Sequence, residues 1–274
     1  MKELIESVSK ELAADRHEAE MVIASLLGRP RHELHFLDAM SDREQVQILQ
    51  RVRQLKQGIP IEYLTRKVQF RDHVLAINPG VFIPRLETEQ LIEYVRKIPG
   101  REPQMILEIG TGCGALTIAL AFLFPGARIV ATDISEKAIE NAQENIVDHA
   151  LGSRVELVRC DMYGGISGVF DLIVSNPPYI PRDRLGILPP SVKDFEPLEA
   201  LDGGEQGVEF IEELIEDGQM HLAKDGIMAF EIDDDGTDLL RTFLEDNNIG
   251  PYVFRRDLFG RYRYLFIGVD RAKS

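Results

Sequence analysis

The stretch best suited to chemistry is the pentapeptide Ser-Asn-Pro-Pro-Tyr at residues 175–179, which follows an apolar run at 169–174. Prolines cannot donate to a β-ladder, so the strand must end there, and a residue that precedes a proline is held in an extended conformation. The side-chain oxygen of Asn176 and the carbonyl oxygen of Pro177 can then accept both hydrogens of a planar NH2 group, on which the Tyr179 ring can stack. Taken alone, the stretch is equally typical of a proline turn that leaves a strand.

A second candidate site is a glycine-rich loop that follows the predicted strand at 105–109 and opens a helix. Alternate glycines allow the backbone to turn sharply and to approach a ligand closely, next to the positive end of a helix. The spacing fits a nucleotide-like cofactor. Because it also satisfies the dinucleotide pattern G-x-G-x-x-A, it does not by itself distinguish NAD from S-adenosylmethionine. The loop comprises Gly110, Thr111, Gly112, Cys113 and Gly114, and Glu108 lies just before it.

Acidic residues end the next two predicted strands. Asp133 comes 23 positions after Gly110, where a carboxylate can accept both hydroxyls of an adenosine ribose. Asp161 could accept from an adenine amino group, with Met162 against the ring. Each acidic residue alone is more typical of a cap or a solvated charge. Together, at successive strand ends on the side where open sheets bind ligands, they favour an adenosyl cofactor.

The elements that would position these residues alternate between strands and helices from residue 105 onward. Such alternation implies right-handed crossovers and a parallel sheet covered on both faces. The sequence therefore predicts an α/β fold with a doubly wound, mostly parallel, Rossmann-like sheet that ends in an antiparallel pair. The seven predicted strands are 105–109, 129–131, 155–158, 169–174, 227–232, 252–256 and 262–269.

Three segments are predicted in chain order. Residues 1–58 repeat apolar residues at helical spacing, with Ser41 and Glu44 placed as a capping box, and predict a small helical bundle. Residues 59–80 change to the alternation of a short β-hairpin, which would act as a linker. Residues 81–274 would then form the cofactor-binding domain.

Composition restricts the classes of function. Residues 1–75 are neutral, and the remainder carries 19 basic against 34 acidic residues, which accounts for the net charge of −15. An acidic catalytic domain repels phosphate backbones, so we expect no stable binding of nucleic acid. Two cysteines, an acidic amphipathic start and the lack of a ~20-residue apolar run predict a cytoplasmic protein without membrane attachment. The six histidines show no ligand spacing, so no metal is expected.

The order of these motifs resembles class I S-adenosylmethionine-dependent methyltransferases that methylate planar nitrogen. Three further stretches are similar to the protein-(glutamine-N5) methyltransferases, the family that modifies the Gly-Gly-Gln tip of class 1 peptide chain release factors. The similarity extends over residues 57–263. The three stretches are Gly-Ile-Pro-Ile-Glu-Tyr-Leu at 58–64, Phe-Ile-Pro-Arg-Leu-Glu-Thr-Glu at 82–89 and Glu-Pro-Leu-Glu-Ala-Leu-Asp-Gly-Gly at 196–204.

This resemblance implies that the methyl group of S-adenosylmethionine moves to the amide nitrogen of the release-factor glutamine, with S-adenosylhomocysteine as the product. It also implies that the helical bundle docks the protein substrate, and we expect a monomer. The implied catalytic residues are Asn176, Pro177 and Tyr179, and Pro178 joins them in contacting the substrate. The implied cofactor contacts are Phe82, Arg85, Glu108, Gly110, Thr111, Gly112, Cys113, Gly114, Asp133, Ile134, Asp161, Met162 and Asn176.

The chain departs from the family's usual pattern outside the cofactor motifs. Proline is usual where Leu86 stands, glycine where Arg66 stands, and glutamate where Gln69 stands. Glycine usually follows the late Glu-Ile pair, where this chain has Asp233. These positions belong to the hairpin and the rim, which the family uses to receive its protein substrate.

Other functions are also compatible with parts of the sequence. A methyltransferase for the exocyclic amine of adenine or cytosine in nucleic acid could use the same grip, but it would normally present a basic surface. A glutamine of a ribosomal protein could be the substrate, as in a sister group of the family. A non-catalytic cofactor-binding scaffold would not need the stretch at 175–179. An NAD dehydrogenase would need a hydride-transfer site, and nothing after the fourth strand resembles one.

Overall fold

The computed structural model describes residues 1–36, 40–98 and 102–269. It packs as two units, one of Met1–Lys67 with Pro189–Phe195 and the other of Val68–Leu188 with the chain from Glu196 onward. The predicted boundaries lie at 58 and 80. The first unit extends to Lys67 because Ile61 and Leu64 pack on its core. It also includes the segment at 189–195, and a Cβ added to Gly58 would lie 3.5 Å from the Phe195 ring. Within the described ranges, no helix is both long and apolar enough to cross a membrane.

Helices and a β-hairpin come first in the described chain, and strands and helices alternate through much of the remainder. The third and fourth strands of the large sheet in chain order, and its last two, follow each other without an intervening α-helix. The helices are α1 (Lys2–Leu12), α2 (Arg16–Leu27), α3 (Asp42–Lys56), α4 (Ile61–Thr65), α5 (Leu86–Lys97), α6 (Ala115–Leu123), α7 (Glu136–Asp148), α8 (Pro190–Lys193), α9 (Glu209–Gly218) and α10 (Thr237–Asp246). The strands are β1 (Lys67–Phe70), β2 (His73–Ala76), β3 (Met105–Ile109), β4 (Arg128–Asp133), β5 (Val155–Arg159), β6 (Phe170–Ser175), β7 (Leu222–Glu231), β8 (Tyr252–Arg256) and β9 (Tyr262–Ile267).

The first unit is a small helical bundle with an apolar core, as the sequence predicts. The capping box at the start of α3 is confirmed: the Ser41 side chain accepts from the backbone N–H of Glu44, and the Glu44 carboxylate accepts from that of Ser41. Asp15 and Glu18 form a second box at the start of α2. Each box pairs N–H groups that the first turn of a helix leaves without partners. The core includes Leu4, Ile5, Val8, Ile23, Leu34, Ile48 and Val52.

The second unit confirms the predicted seven-stranded, mostly parallel sheet. Its strand order is β5-β4-β3-β6-β7-β9-β8, and β9 is antiparallel to both of its neighbours. Strand β7 begins at Leu222, earlier than the predicted start at 227, because an irregularity in its pairing with β6 accommodates the extra residues. The inner strands are almost fully buried, as expected for a parallel sheet covered on both faces.

The hairpin of β1 and β2 is fastened to the sheet unit by two asparagines of α7. Asn145 accepts from the backbone N–H of Ala76 at 2.7 Å and donates to the carbonyls of Ala76 and Cys113, both at 2.8 Å. Asn141 accepts from Asn78 N–H at 2.8 Å and also donates to Ala76. One helix therefore holds both β2 and the glycine-rich loop through buried amide side chains.

We predict that Asn145→Ala lowers the free energy of unfolding by about 1–3 kcal/mol, because the Ala76 N–H and the Cys113 carbonyl lose their side-chain partner. Gln143→Ala, on the exposed side of the same helix, is the matched control and should change stability by about 0.5 kcal/mol or less. Urea unfolding of both variants measures the difference. Equal stabilities would contradict the fastening role of Asn145.

Candidate active site

The strand register brings three chain segments together at the carboxyl edge of the sheet. Ser175 at the end of β6 lies opposite Ile109 of β3 on one side and opposite Phe230 of β7 on the other. The chain continues to β4 on one side of β3 and returns to β6 on its other side. This is a topological switch point, where open α/β sheets bind ligands. The residues that come next on the three strands are Gly110, Asn176 and Glu231.

The loop after β3 adopts the backbone conformation for which its glycines are suited. The φ angle is 75° at Gly110, 57° at Gly112 and 83° at Gly114, a region that residues with side chains disfavour. A Cβ added at Gly110 or Gly112 would meet no protein atom within 4 Å, so both positions face open space. Gly114 differs, because its Cβ would lie 3.4 Å from Ala142 and its absence lets α6 begin close to α7.

Glu108 lies beneath this loop and orders it. Its carboxylate accepts hydrogen bonds from the hydroxyls of Thr111 in the loop and Thr117 in α6. Burial raises the pKa of Glu108 to about 7, although the two hydroxyls act in the opposite direction. Glu108 also forms part of the wall of the cavity above the loop.

Asp133 ends β4 and ties its own turn to the glycine-rich loop. One carboxylate oxygen accepts from Gly112 N–H at 2.8 Å and the other from Ser135 N–H at 2.9 Å. Burial raises the pKa of Asp133, while these two N–H groups oppose the shift. Because a carboxylate offers about four acceptor sites, Asp133 can hold the loop and still accept from a ligand.

A cavity opens above the strand ends, and most of the predicted cofactor and substrate contacts line it. Arg85, Gly114 and Tyr179 are the predicted residues that do not lie in its wall. Burial raises the pKa of Cys113 to about 12, so its thiol stays protonated and the residue is a small part of the wall. The predicted residues that do line the cavity are Phe82, Glu108, Gly110, Thr111, Gly112, Cys113, Asp133, Ile134, Asp161, Met162, Asn176, Pro177 and Pro178.

Arg85 is engaged with the protein itself. Its guanidinium pairs with Glu196 at 2.5 Å and lies over the Phe82 ring, 4.7 Å from the centroid. The second oxygen of Glu196 accepts from the backbone N–H of Ile83 at 3.2 Å. Glu196 therefore shapes the segment at 82–85, and this segment presents Phe82 rather than Arg85 to the cavity.

The far end of the 196–204 motif supports the chain that follows Tyr179. Ile180 N–H donates to the carbonyl of Leu201, and Gly203 N–H donates back to the carbonyl of Ile180. A Cβ at Gly203 would lie 2.6 Å from the Cα of Tyr179, closer than any side chain permits. Gly203 is therefore required for this close approach, and the motif fixes the position of the Asn-Pro-Pro-Tyr stretch.

Two residues that sequence reasoning missed contact this stretch directly. Thr88 Oγ1 accepts from Asn176 Nδ2 at 3.0 Å, and Glu231 accepts from both Thr88 Oγ1 at 2.8 Å and the Tyr179 hydroxyl at 2.9 Å. Glu231 is fully buried. A signal was present in the sequence, because a carboxylate ends the apolar strand that pairs with the strand before Asn176.

Comparison with known proteins places the chain in a family. Residues 3–65 match the PrmC N-terminal domain, and residues 78–185 match the methyltransferase small domain. A release factor glutamine methyltransferase of Gloeobacter violaceus is 35% identical over 81% of this chain and 79% of its own length. One of Aquifex aeolicus is 32% identical over 93% of this chain and 91% of its own.

The chain belongs to the release factor glutamine methyltransferase family. The resemblance noted in the sequence is thereby confirmed. Among solved structures, a ribosomal protein L11 methylase from Lactobacillus delbrueckii subsp. bulgaricus matches with a TM-score of 0.53. It covers 75% of this chain and 100% of its own, at 23% identity, and so supports the fold alone.

Three departures from the family pattern can be examined in the structure. Arg66 has a φ of 60° at the end of α4, where the glycine usual in release factor glutamine methyltransferases would avoid a cost of about 1 kcal/mol. Leu86 begins α5 and is exposed. Asp233 accepts from Asp234 N–H and pairs with Arg263 at 3.5 Å. None of the three lies in the cavity wall.

The raised pKa of Glu108 predicts a pH-dependent contribution to stability. The carboxyl titrates near 4.5 in the unfolded chain and near 7 in the folded protein, so between these values the unfolded state holds fewer protons and stability falls as pH rises. We predict that Glu108→Gln gains roughly 3 kcal/mol relative to wild type between pH 5 and pH 8. Urea unfolding at pH 5 and pH 8 measures this change in the free energy of unfolding. Glu213→Gln, on the exposed side of α9, is the control. If the difference in stability between Glu108→Gln and wild type is the same at both pH values, the prediction is wrong.

Proposed function

We propose that this chain transfers the methyl group of S-adenosylmethionine to the side-chain amide nitrogen of the glutamine in the Gly-Gly-Gln motif of class 1 peptide chain release factors. The observation that carries the proposal is the place of Asn176, in the cavity wall at the end of the strand next to the glycine-rich loop. The names of its relatives across bacteria support the same activity. The role of the helical bundle in docking the release factor, and the monomeric state, stay predictions.

The residues of the cavity fit S-adenosylmethionine, which supplies an electrophilic methyl group when it is bound. The open space at Gly110 and Gly112 admits a ligand close to the backbone, next to the N-terminus of α6. Asp133 offers acceptor sites for ribose hydroxyls and Asp161 for an adenine amino group. The apolar side chains of the cavity wall, which include Phe82, Ile134 and Met162, provide surface for the remainder.

The chain's own contribution to the reaction is to hold the substrate amide. An amide nitrogen is a poor nucleophile because its lone pair is delocalised into the carbonyl. Asn176 Oδ1 and the Pro177 carbonyl accept its two hydrogens, which fixes the plane of the amide and directs negative dipole ends at the nitrogen, where positive charge develops. The nitrogen gains the methyl group and loses one proton, which leaves a secondary amide. Because this proton can pass to water, the scheme requires no general base.

Tyr179 has a hydrogen-bonding role that the sequence did not predict. The Tyr179 hydroxyl donates a hydrogen bond to Glu231. The guanidinium of Arg263 lies 5.8 Å from the centroid of the Tyr179 ring. Burial and the neighbouring Glu231 carboxylate raise the pKa of the phenol well above its ordinary value. Tyr179 therefore acts as a neutral hydrogen-bond donor, and its stacking on the substrate stays a prediction.

We predict that Asn176→Ala lowers the rate of methyl transfer by on the order of 10²-fold, the scale found when one preorganised polar group is removed. The assay follows labelled methyl groups from S-adenosylmethionine to a class 1 release factor, to the same factor with its Gly-Gly-Gln glutamine replaced, and to single-stranded DNA. Asn247→Ala, an exposed asparagine at the end of α10, is the control. Label on DNA, or equal label on both release factors, would overturn the proposed function.

We also predict that Gly112→Ala weakens the binding of S-adenosylmethionine by at least tenfold, because the added methyl group enters the open space of the cavity. Gly165→Ala is a matched control: Gly165 has a φ of 78°, its Cβ would also meet no protein atom within 4 Å, and it is not part of the cavity wall. Isothermal titration calorimetry compares the two. If both variants bind the cofactor as wild type does, the loop does not hold it.

A further inference from the structure

A continuous chain of hydrogen bonds links three elements behind the Asn-Pro-Pro-Tyr stretch. Asn176 Nδ2 lies 3.0 Å from Thr88 Oγ1 of α5, and Thr88 Oγ1 lies 2.8 Å from one carboxylate oxygen of Glu231 in β7. The other oxygen of Glu231 lies 2.9 Å from the Tyr179 hydroxyl. Thr88, Glu231 and Tyr179 belong to different parts of the sequence, and neither Thr88 nor Glu231 is among the residues expected to grip the substrate amide.

The number of hydrogens available to these hydrogen bonds determines which way the Asn176 amide faces. A hydroxyl has one hydrogen to donate, and a carboxylate has none. When Glu231 is ionised, it takes the only hydrogen of Thr88, and Thr88 Oγ1 can then act only as an acceptor toward Asn176. An NH2 group must face it, and Oδ1 is left for the cavity. Among the described residues, no protein donor is bonded to Asn176 Oδ1.

We propose that Thr88 and Glu231 are positioning residues that fix the orientation of the Asn176 amide, so that its oxygen rather than its NH2 group is presented to the substrate. This inference rests on the proposed function, because the NH2 group of a substrate amide can be gripped only by hydrogen-bond acceptors. A reversed amide would present two hydrogens to the two hydrogens of the substrate. Thr88 and Glu231 would therefore act on the reaction through Asn176, without contact with the reacting atoms.

The protonation state of Glu231 controls the direction of these hydrogen bonds. Burial raises the pKa of Glu231 to about 7; the hydroxyls of Thr88 and Tyr179 and the guanidinium of Arg263 on β9 lower it, and Glu87 on α5 raises it. A protonated Glu231 can donate to Thr88, which frees the Thr88 hydrogen to bond Asn176 Oδ1 and lets the amide reverse. Activity should therefore fall as pH decreases through about 7.

The first test compares variants of Thr88 by their rate of methyl transfer to a release factor. Thr88→Val removes the hydroxyl at nearly constant volume, and we expect it to lower kcat at least tenfold. Thr88→Ser keeps the hydroxyl and should stay within about threefold of wild type. If Thr88→Val is as active as wild type, or if Thr88→Ser is as impaired as Thr88→Val, the hydroxyl does not position Asn176.

The pH profile of kcat separates positioning from a general loss of structure. Wild type and Thr88→Ser should show an acidic limb with a midpoint near pH 7. Glu231→Gln cannot titrate, and Thr88→Val cuts the link between Glu231 and Asn176, so both should lose this limb. A limb that persists unchanged in Glu231→Gln would show that another group controls the reaction and would overturn the proposal.

A measurement without substrate keeps this inference distinct from the proposed function. The side-chain NH2 signals of Asn176 in ¹⁵N-labelled protein, assigned by their loss in Asn176→Ala, should shift with a midpoint near pH 7 in wild type. The shift should vanish in Glu231→Gln and Thr88→Val and remain in Thr88→Ser. Wild type that shows this shift but does not methylate a release factor would refute the proposed function and support the inference. Signals that are alike in wild type and Thr88→Val would refute the inference.

Discussion

The site depends above all on the parallel register of three strands. Because β3, β6 and β7 are aligned with Ser175 opposite both Ile109 and Phe230, the residues just beyond them fall side by side at one edge of the sheet. A shift of one residue in either pairing would turn the affected side chains to the other face of the sheet. The glycine-rich loop, Asn176 and Glu231, which is linked to Asn176 through Thr88, are thus placed together by the backbone hydrogen bonds of the sheet.

Two buried glutamates at this edge of the sheet accept hydrogen bonds that order the site, although burying their charged form costs free energy. Glu108 is the penultimate residue of β3 and Glu231 is the last residue of β7, and burial raises the pKa of each to about 7. A buried carboxylate is tolerated only where it is hydrogen-bonded, and each accepts from two hydroxyl groups. These hydrogen bonds hold the glycine-rich loop and the Asn176 amide in one orientation. Under the proposed function, little reorganisation would then be needed when ligands bind.

The sequence predicted what local rules determine, and it missed what long-range contacts determine. The alternation of strands and helices, the glycine-rich loop and the prolines after β6 are read from neighbouring residues, and the predicted sheet and family are confirmed. The partners of Arg85 and Tyr179 lie more than fifty positions away in the chain, at Glu196 and Glu231. Their contacts follow from tertiary packing, which is why Arg85 was expected in the cavity wall and Thr88 was not singled out.

The most direct test of the central claim is a crystal structure of the protein with S-adenosylhomocysteine and a peptide that carries the Gly-Gly-Gln motif. The proposed grip predicts that the glutamine amide nitrogen lies about 2.7–3.2 Å from both Asn176 Oδ1 and the Pro177 carbonyl oxygen, with Asn176 Nδ2 still bonded to Thr88. A glutamine amide bound elsewhere in the cavity, or an Asn176 side chain rotated away from Thr88, would contradict it.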